Sequence, residues 1–184
     1  MLSKKELFSI PNILCYFRIL LVPVFVYVYF VVEVGGNHLI SAIILFVSSI
    51  SDFLDGFIAR KFNMITELGK FIDPVADKLT QIVVAVVLMY TYPAYVWLVT
   101  IIVLKDGMLL FAGWYIFKKT GRHLAQAELP GKIATAVFFI VSTSLIAFVV
   151  PAYIASFMIY TTIVLMAIAM GYYGQGLYRL YGKG

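Results

Sequence analysis

Six long apolar stretches, separated by short polar breaks, dominate the pattern of the 184-residue chain. They run over residues 12–34, 38–60, 67–91, 93–117, 131–150 and 152–177. Each is about as long as, or longer than, the roughly 20 residues that a helix needs to cross a bilayer. Turn-forming residues, such as the glycine pair at 35–36, Pro93 and Pro151, stand in the breaks. The pattern predicts an all-α integral membrane protein with six transmembrane helices.

The composition agrees with a membrane protein. Hydrophobic residues make up 63% of the chain and charged residues 12%, whereas soluble domains average about 45–50% and about 25%. No repeat, low-complexity stretch or linker interrupts the sequence, so a single domain over residues 1–184 is expected. The one cysteine, Cys15, is expected to be a small apolar residue within the first helix.

The lysine and arginine residues outside the spans fall on one side of this layout. They lie at the two termini and in the breaks after the second and fourth stretches, while the other three breaks hold none. This bias predicts that both termini and these breaks face the cytoplasm, with the protein in the cell membrane. The formal net charge of +5 fits basic loops beside anionic lipid headgroups. No nucleic-acid partner is expected.

The N-terminal sequence SKKELFSIPN, residues 3–12, mixes lysines with leucine, phenylalanine and isoleucine. Such a mixture is typical of an amphipathic segment that lies in the membrane interface. We expect a short interfacial helix before the first span. A frayed terminus is the alternative interpretation.

Four aspartates stand out in the stretch SDFLDGFIARKFNMITELGKFIDPVADK, residues 51–78. Asp52 and Asp55 are three residues apart near the end of the second span, and Asp73 and Asp77 are four apart near the start of the third. These spacings place each pair on one face of its helix. Two antiparallel helices joined by a short turn therefore direct all four carboxylates toward one another.

Two interpretations of these acids are open. Four carboxylates in a low-dielectric environment repel one another and need positive charge nearby. A structural ion-pair cluster is one solution, and the candidate cations are Arg60, Lys61, Lys70 and Lys78. A divalent metal is the other, because carboxylate oxygens without His or Cys suit Mg²⁺, Mn²⁺ or Ca²⁺. Such metals commonly bind phosphate, which predicts phosphoryl transfer at the cytoplasmic membrane edge.

The spacing Asp52-x2-Asp55-Gly56-x2-Ala59-Arg60-x8-Gly69-x3-Asp73-x3-Asp77 resembles the signature of the CDP-alcohol phosphatidyltransferases at all eight of its fixed positions. The six-span layout is similar to that family across nearly the whole chain. Within it, IPNILCYFRILLVPVF and ITELGKFIDPVADK resemble two subgroups, the phosphatidylglycerophosphate synthases and the CMP-forming cardiolipin synthases.

The resemblance implies the fold of that family, a homodimer, and transfer of a phosphatidyl group from CDP-diacylglycerol to a small alcohol with release of CMP. It implies that the four aspartates hold two ions, Mg²⁺ or Mn²⁺, and that Asp73 and Asp77 are catalytic, with Asp77 as general base. The residues that it assigns to the nucleotide are Asp52, Gly56, Ala59, Arg60 and Gly69.

A phosphorylated acceptor such as glycerol 3-phosphate needs cations beyond the metal site. The candidates are Lys105, Arg18, Lys118, Arg122 and Lys132. Lys105 and Asp106 stand where many phosphatidylglycerophosphate synthases have Arg-Glu, and no arginine follows two turns later. An alternative interpretation makes Lys105 and Asp106 a structural pair and the loop cations mere topology signals.

Glycerol 3-phosphate is therefore the first expectation for the acceptor, with phosphatidylglycerol, the acceptor of a cardiolipin synthase, as the alternative. A third hypothesis is a small cation transporter that uses the intramembrane acids. The acids all lie near one side of the membrane, and no polar path crosses the outer half. This distribution favours an enzyme over a transporter.

Overall fold

The computed structural model describes residues 8–36, 38–120 and 129–181, and within these ranges all regular secondary structure is helical. The helices are α1 (Ile10–Tyr27), α2 (Leu39–Lys61), α3 (Glu67–Thr91), α4 (Tyr95–Thr120), α5 (Leu129–Ala147) and α6 (Ala152–Tyr181). A π-helical turn, Val28–Val32, continues α1. Each helix coincides with one predicted apolar stretch to within a few residues. Residues 3–7 of the predicted interfacial segment, 3–12, lie outside the described residues.

Four segments are long and apolar enough to cross a membrane: Ile10–Val32, Leu39–Lys61, Pro130–Ala147 and Ala152–Tyr172. Their outer faces carry many exposed large hydrophobic side chains, as expected of helices that contact lipid. The chain is therefore a multi-pass integral membrane protein. Helices α3 and α4, with 25 and 26 residues, are not among these four.

The chain divides into two compact units. The first comprises Met1–Leu88 and Ser142–Val149, and the second comprises Met89–Val141 and Val150–Gly184. In the first unit α1 packs against α2, and in the second α4 packs against α6. All four predicted aspartates belong to the first unit. The single domain over residues 1–184 stays a prediction.

A tight reversal joins α2 to α3. Asn63 has a positive φ of 51°, and the Met64 amide donates to the Ala59 carbonyl at 3.0 Å, which closes α2 with a Schellman motif. The Thr66 hydroxyl then accepts a hydrogen bond from the Gly69 amide at 2.9 Å and so caps α3. This turn sets the polar end of α2 beside the polar start of α3.

The opposite end of α2 is capped by a side chain from the preceding turn. The Glu33 carboxylate accepts hydrogen bonds from the amides of Ile40, at 2.6 Å, and Ser41, at 3.0 Å, and from the Ser41 hydroxyl, at 2.5 Å. His38, whose ring stacks on Tyr29, places Nδ1 3.9 Å from Glu33 Oε2. Burial by itself raises the pKa of Glu33, but these hydrogen bonds and His38 hold the pKa below its ordinary value.

Candidate active site

The four aspartates of α2 and α3 gather near one arginine of α1, Arg18. We call these five residues the acid cluster. Its acids come from consecutive turns of their helices, three residues apart on α2 and four apart on α3, so each pair lies on one helical face. The prediction that Asp52, Asp55 and Asp73 come together is confirmed by their shared contact with Arg18.

Arg18 joins three of the acids through its two terminal nitrogens. Nη1 lies 2.5 Å from Asp52 Oδ1. Nη2 lies 2.6 Å from Asp55 Oδ2 and 2.6 Å from Asp73 Oδ1. The arginine side chain is only 2% exposed, so these are charge-assisted hydrogen bonds in a low-dielectric environment, where such contacts are strong.

The three acids paired with Arg18 differ in exposure. The Asp55 side chain is 4% exposed, whereas those of Asp52 and Asp73 are 47% and 48% exposed. Each acid contacts Arg18 through one oxygen, and its second oxygen makes no hydrogen bond within the described part of the chain. One oxygen of each of these three carboxylates is therefore available to another cation.

Asp77 lies one turn beyond Asp73 on the same face of α3 and is half-buried. Among the described residues, no hydrogen bond or ion pair joins it to Arg18. Its carboxylate is thus not committed to the guanidinium that its neighbours share. This geometry suits a group that accepts a proton, the role that the family resemblance implies for Asp77.

Cys15 belongs to the site, which the sequence analysis did not predict. Its thiol donates to Asp55 Oδ2 at 3.4 Å and accepts from Arg18 Nη2 at 3.7 Å. The side chain is buried, as expected of a small apolar residue, but its polar contacts all point into the acid cluster. The available signal was its spacing, one helical turn before Arg18 on the same face of α1.

Asn12 was also missed. It is buried, and its Oδ1 accepts a hydrogen bond from the Thr66 hydroxyl at 3.1 Å. A Cβ on Gly69 would lie 2.6 Å from Asn12 Oδ1 and 2.9 Å from Thr66 Oγ1. Both distances are shorter than a Cβ atom makes with a non-bonded heavy atom in real structures. Gly69 is therefore needed where α1 packs against the capped start of α3, whatever it also contributes to nucleotide binding.

The remaining positions assigned to the nucleotide lie on α2. The Arg60 guanidinium folds back over Gly56, with Nη1 3.3 Å from the place that a Cβ on Gly56 would occupy. Ala59 is half-buried, and Arg60 is exposed. The nucleotide-binding roles of Asp52, Gly56, Ala59, Arg60 and Gly69 stay predictions.

The cations considered for a structural ion-pair cluster are largely engaged elsewhere. Lys70 pairs with Glu67 at 2.7 Å, and the Lys61 ammonium lies over the rings of Phe57 and Phe62. Arg18 therefore supplies the direct ion pairs to the acids in the described structure, a role that the sequence analysis did not consider. Even with Lys78 acting on Asp77 from α3, one guanidinium leaves a surplus of negative charge among the four carboxylates.

The donor set of the cluster fits a divalent cation. Asp55, Asp73 and Cys15 each place one ligand atom within 4.8 Å of the other two. Carboxylate oxygens are the ligands that Mg²⁺ and Mn²⁺ prefer, whereas a thiol suits softer metals. The half-exposed Asp52 and Asp73 give a cation access from solvent, and the surplus of negative charge favours its binding.

The predicted acceptor residues differ in their surroundings. Lys105 is 2% exposed, and its ammonium lies 3.4 Å from Asp106 Oδ1 and 3.9 Å from Met166 Sδ on α6. This ion pair matches the alternative interpretation of a structural pair. Lys118 and Lys132 are exposed, and Arg122 lies outside the described residues. Acceptor binding by these residues stays a prediction.

The comparisons with known proteins agree with the geometry. The model of the CDP-alcohol phosphatidyltransferase family matches residues 8–172, which include the entire acid cluster. The CDP-diacylglycerol--glycerol-3-phosphate 3-phosphatidyltransferase of Bacillus subtilis (strain 168) is 33% identical over 167 residues, or 82% of this chain and 83% of the relative.

Two further relatives carry the same name and match a shorter part of the chain. The protein of Escherichia coli (strain K12) is 40% identical over 94 residues, which cover 51% of this chain and 50% of the relative. The protein of Haemophilus influenzae is 38% identical over 91 residues, which cover 50% and 48%. These two matches span about half the length of each relative.

Proposed function

The chain belongs to the CDP-alcohol phosphatidyltransferase family, and from this premise we propose that it transfers a phosphatidyl group from CDP-diacylglycerol to glycerol 3-phosphate. CMP is the second product. The observation that carries the proposal is the acid cluster, three of whose carboxylates converge on Arg18 with an oxygen to spare. The names of the relatives support glycerol 3-phosphate as acceptor.

We propose that Asp52, Asp55, Asp73 and Asp77 together hold two Mg²⁺ or Mn²⁺ ions. Bound there, the ions neutralise the pyrophosphate of the donor and stabilise the departing CMP. Two of these carboxylates come from α2 and two from α3. Burial of Asp55 keeps one ligand fixed, while the half-exposed Asp52 and Asp73 face the solvent from which the cations and substrates arrive.

Asp77 is proposed to act as general base. A hydroxyl oxygen of the acceptor forms a bond to the phosphorus that carries the diacylglycerol, and the bond from this phosphorus to the oxygen of CMP breaks. The hydroxyl proton passes to the Asp77 carboxylate, and CMP leaves with the bonding electron pair. A carboxylate with no ion pair to Arg18 is suited to accept this proton, and general-base catalysis of this kind commonly contributes about 10²–10⁴-fold.

The nucleotide is proposed to lie along the small residues Gly56, Ala59 and Gly69, where the lack of large side chains lets a planar group come close to the helices. The exposed Arg60 guanidinium is free to move off Gly56 toward a phosphate, because its position there is set by a flexible side chain. The half-exposed Asp52 is the fifth residue proposed to contact the nucleotide.

The phosphate of the acceptor is proposed to contact Lys105 together with the basic residues Lys118, Arg122 and Lys132. A buried ammonium deep in a membrane helix is costly and is usually functional. Asp106 Oδ1 lies 3.4 Å from this ammonium and partly offsets its charge. Arg18, the fifth cation predicted to bind the acceptor, directs both terminal nitrogens to the acid cluster instead.

For the membrane arrangement, we propose that α3 and α4 are also spans, which gives six. At about 1.5 Å per residue, their 25 and 26 residues reach more than about 35 Å, enough for a hydrocarbon core of about 30 Å. The distribution of Lys and Arg supports termini and active site on the cytoplasmic side of the cell membrane. A homodimer is expected from the family resemblance.

An acceptor panel tests the proposed function. The purified protein, in vesicles that contain CDP-diacylglycerol and Mg²⁺, is given glycerol 3-phosphate, phosphatidylglycerol, serine or inositol phosphate, and CMP release is measured. Release with glycerol 3-phosphate well above the other three is expected. Release with phosphatidylglycerol alone would establish a cardiolipin synthase, and no release with any acceptor would contradict the proposal.

The variant Lys105→Ala sharpens this panel. If the ammonium binds the acceptor phosphate, the apparent KM for glycerol 3-phosphate rises strongly, while the KM for CDP-diacylglycerol changes little. Lys132→Ala, which removes an exposed cation, is expected to have a smaller effect because solvent screens that charge. An unchanged KM for glycerol 3-phosphate in Lys105→Ala would make the ion pair with Asp106 purely structural.

A further inference from the structure

Arg18 contacts three of the four aspartates directly, although the proposed reaction gives Arg18 no role. It lies on α1, whereas its partners lie on α2 and α3, so it ties together three helices. Its side chain is almost completely buried, and a buried arginine needs negative partners to offset the loss of hydration. The acids need it equally, because buried carboxylates without a cation repel one another.

The way in which the contacts are divided is informative. Arg18 uses Oδ1 of Asp52, Oδ2 of Asp55 and Oδ1 of Asp73, one oxygen from each acid. A carboxylate has two oxygens, and each carries acceptor lone pairs. The guanidinium thus orients each acid without using all of its acceptor capacity. A rigid, planar group with several donors performs this task, and a flexible point charge does not.

We propose that Arg18 is a positioning residue, a built-in counter-ion that holds Asp52, Asp55 and Asp73 in a ligating arrangement before any metal binds. The three oxygens that make no hydrogen bond to the guanidinium are then the ones offered to the cations. Cys15 supports the most buried member, because its thiol donates to the same Asp55 oxygen that Arg18 contacts. This inference rests on the metal-holding role proposed for the acids.

The proposal makes the effect of Arg18 on stability depend on metal. Without metal, removal of the guanidinium leaves buried Asp55 unpaired beside Asp52 and Asp73. With metal, the bound cations supply the positive charge that Arg18 gave. A residue that merely fills space would instead change stability by the same amount in both conditions.

The test measures the Tm of the purified, substrate-free protein in detergent, in EDTA and in saturating Mn²⁺. Arg18→Gln is expected to lower Tm by roughly 10 °C in EDTA and by clearly less in Mn²⁺. Lys61→Gln is the matched control, since it removes one positive charge from an exposed residue of α2 that contacts aromatic rings. Its Tm is expected to stay within about 2 °C of the parent in both conditions.

Two further variants keep the test decisive if Arg18→Gln does not fold. Arg18→Lys retains the charge without the planar fork, so its Tm is expected to lie below that of the parent, and by more in EDTA than in Mn²⁺. Arg18→Gln combined with Asp55→Asn removes the buried negative charge as well, and it is expected to recover part of the Tm lost in EDTA.

Three results would overturn the proposal. They are an unchanged Tm of Arg18→Gln in EDTA, an equal loss of Tm with and without Mn²⁺, and no recovery when Asp55→Asn is added. An unchanged Tm in both conditions, together with a raised KM for glycerol 3-phosphate in a separate CMP-release assay, would make Arg18 an acceptor ligand instead. Because the assay contains no substrate, a failure of the proposed transferase activity would leave the Tm results intact and separately interpretable.

Discussion

A buried carboxylate lies near each end of α2, Glu33 just before its start and Asp55 toward its end. The surroundings of the two carboxylates differ. At one end, Glu33 receives three hydrogen bonds from Ile40 and Ser41. Near the other, about 20 Å further along the helix, three acids share the single guanidinium of Arg18. The first carboxylate caps the helix, whereas the second group has more acceptor oxygens than its surroundings satisfy.

This difference separates a structural charge from a functional one. A lone carboxylate at a helix N-terminus is stabilised by backbone amides and by the helix dipole, so it needs no other partner. A group of carboxylates with one cation among them is stable only with additional positive charge. The surplus at the acid cluster therefore indicates a binding site, and the fully satisfied Glu33 indicates a cap.

The largest expected effect is at Asp77. Asp77→Asn keeps the size of the side chain but removes the proton acceptor, so CMP release in the glycerol 3-phosphate assay is expected to fall by about 10²-fold or more. Binding of CDP-diacylglycerol is expected to be at least partly retained. Glu67→Gln, which changes an exposed acid of the same helix, serves as control and is expected to keep most of the activity. Turnover like that of the parent in Asp77→Asn would rule out the base.

A smaller effect is expected at Gly69. In Gly69→Ala, the new methyl group collides with Asn12 and Thr66, which moves α3 relative to α1 and costs about 1–3 kcal/mol of unfolding free energy. The thermal midpoint and the CMP-release rate should both fall. Gly171→Ala is the control, because a Cβ there meets nothing within 4 Å. Adding Asn12→Ala should relieve part of the collision; if it does not, the contact with Asn12 is not the cause.

The smallest effect is expected at the cap. Glu33→Gln should lower the free energy of unfolding by about 1–2 kcal/mol at pH 7, because the charged acceptor of the α2 amides is lost. Activity should change little, since Glu33 lies at the end of α2 remote from the acids. Glu67→Gln, an exposed acid paired with Lys70, should have a smaller effect on stability.

The effect of Glu33 should depend on pH. Its folded-state pKa is below the ordinary value, so the stability that it provides is fully present above about pH 4.3, the pKa of an unperturbed glutamate. That stability is lost as the pH falls through the folded-state pKa. The difference in Tm between the parent and Glu33→Gln should therefore shrink on acidification below about pH 4. A difference that grows in acid would contradict the cap.

Local patterns in the sequence were sufficient to predict the helices and the helical faces on which the acids lie. Runs of apolar residues predict the helices because each span buries its own backbone hydrogen bonds. The spacing of Asp52 with Asp55, and of Asp73 with Asp77, predicts their faces because the helical period is fixed. These features depend on residues close together in the chain.

Contacts between helices could not be predicted in this way. Arg18 was predicted to bind the acceptor because only its positive charge could be read from the sequence. Its partners lie 34 to 55 residues away along the chain. The hydrogen bond between Asn12 and Thr66 spans 54 residues, and it depends on how α1 meets the start of α3. The cap by Glu33 was not predicted either, because it forms when the chain reverses before α2.

The metal dependence of CMP release tests the central claim most directly. The protein is assayed with CDP-diacylglycerol and glycerol 3-phosphate after treatment with EDTA, and again after Mg²⁺ or Mn²⁺ is added in excess of the chelator. The acid cluster predicts that EDTA abolishes CMP release and that either cation restores it. Full activity in excess EDTA would contradict the account, because the surplus carboxylates would then have no catalytic cation to hold.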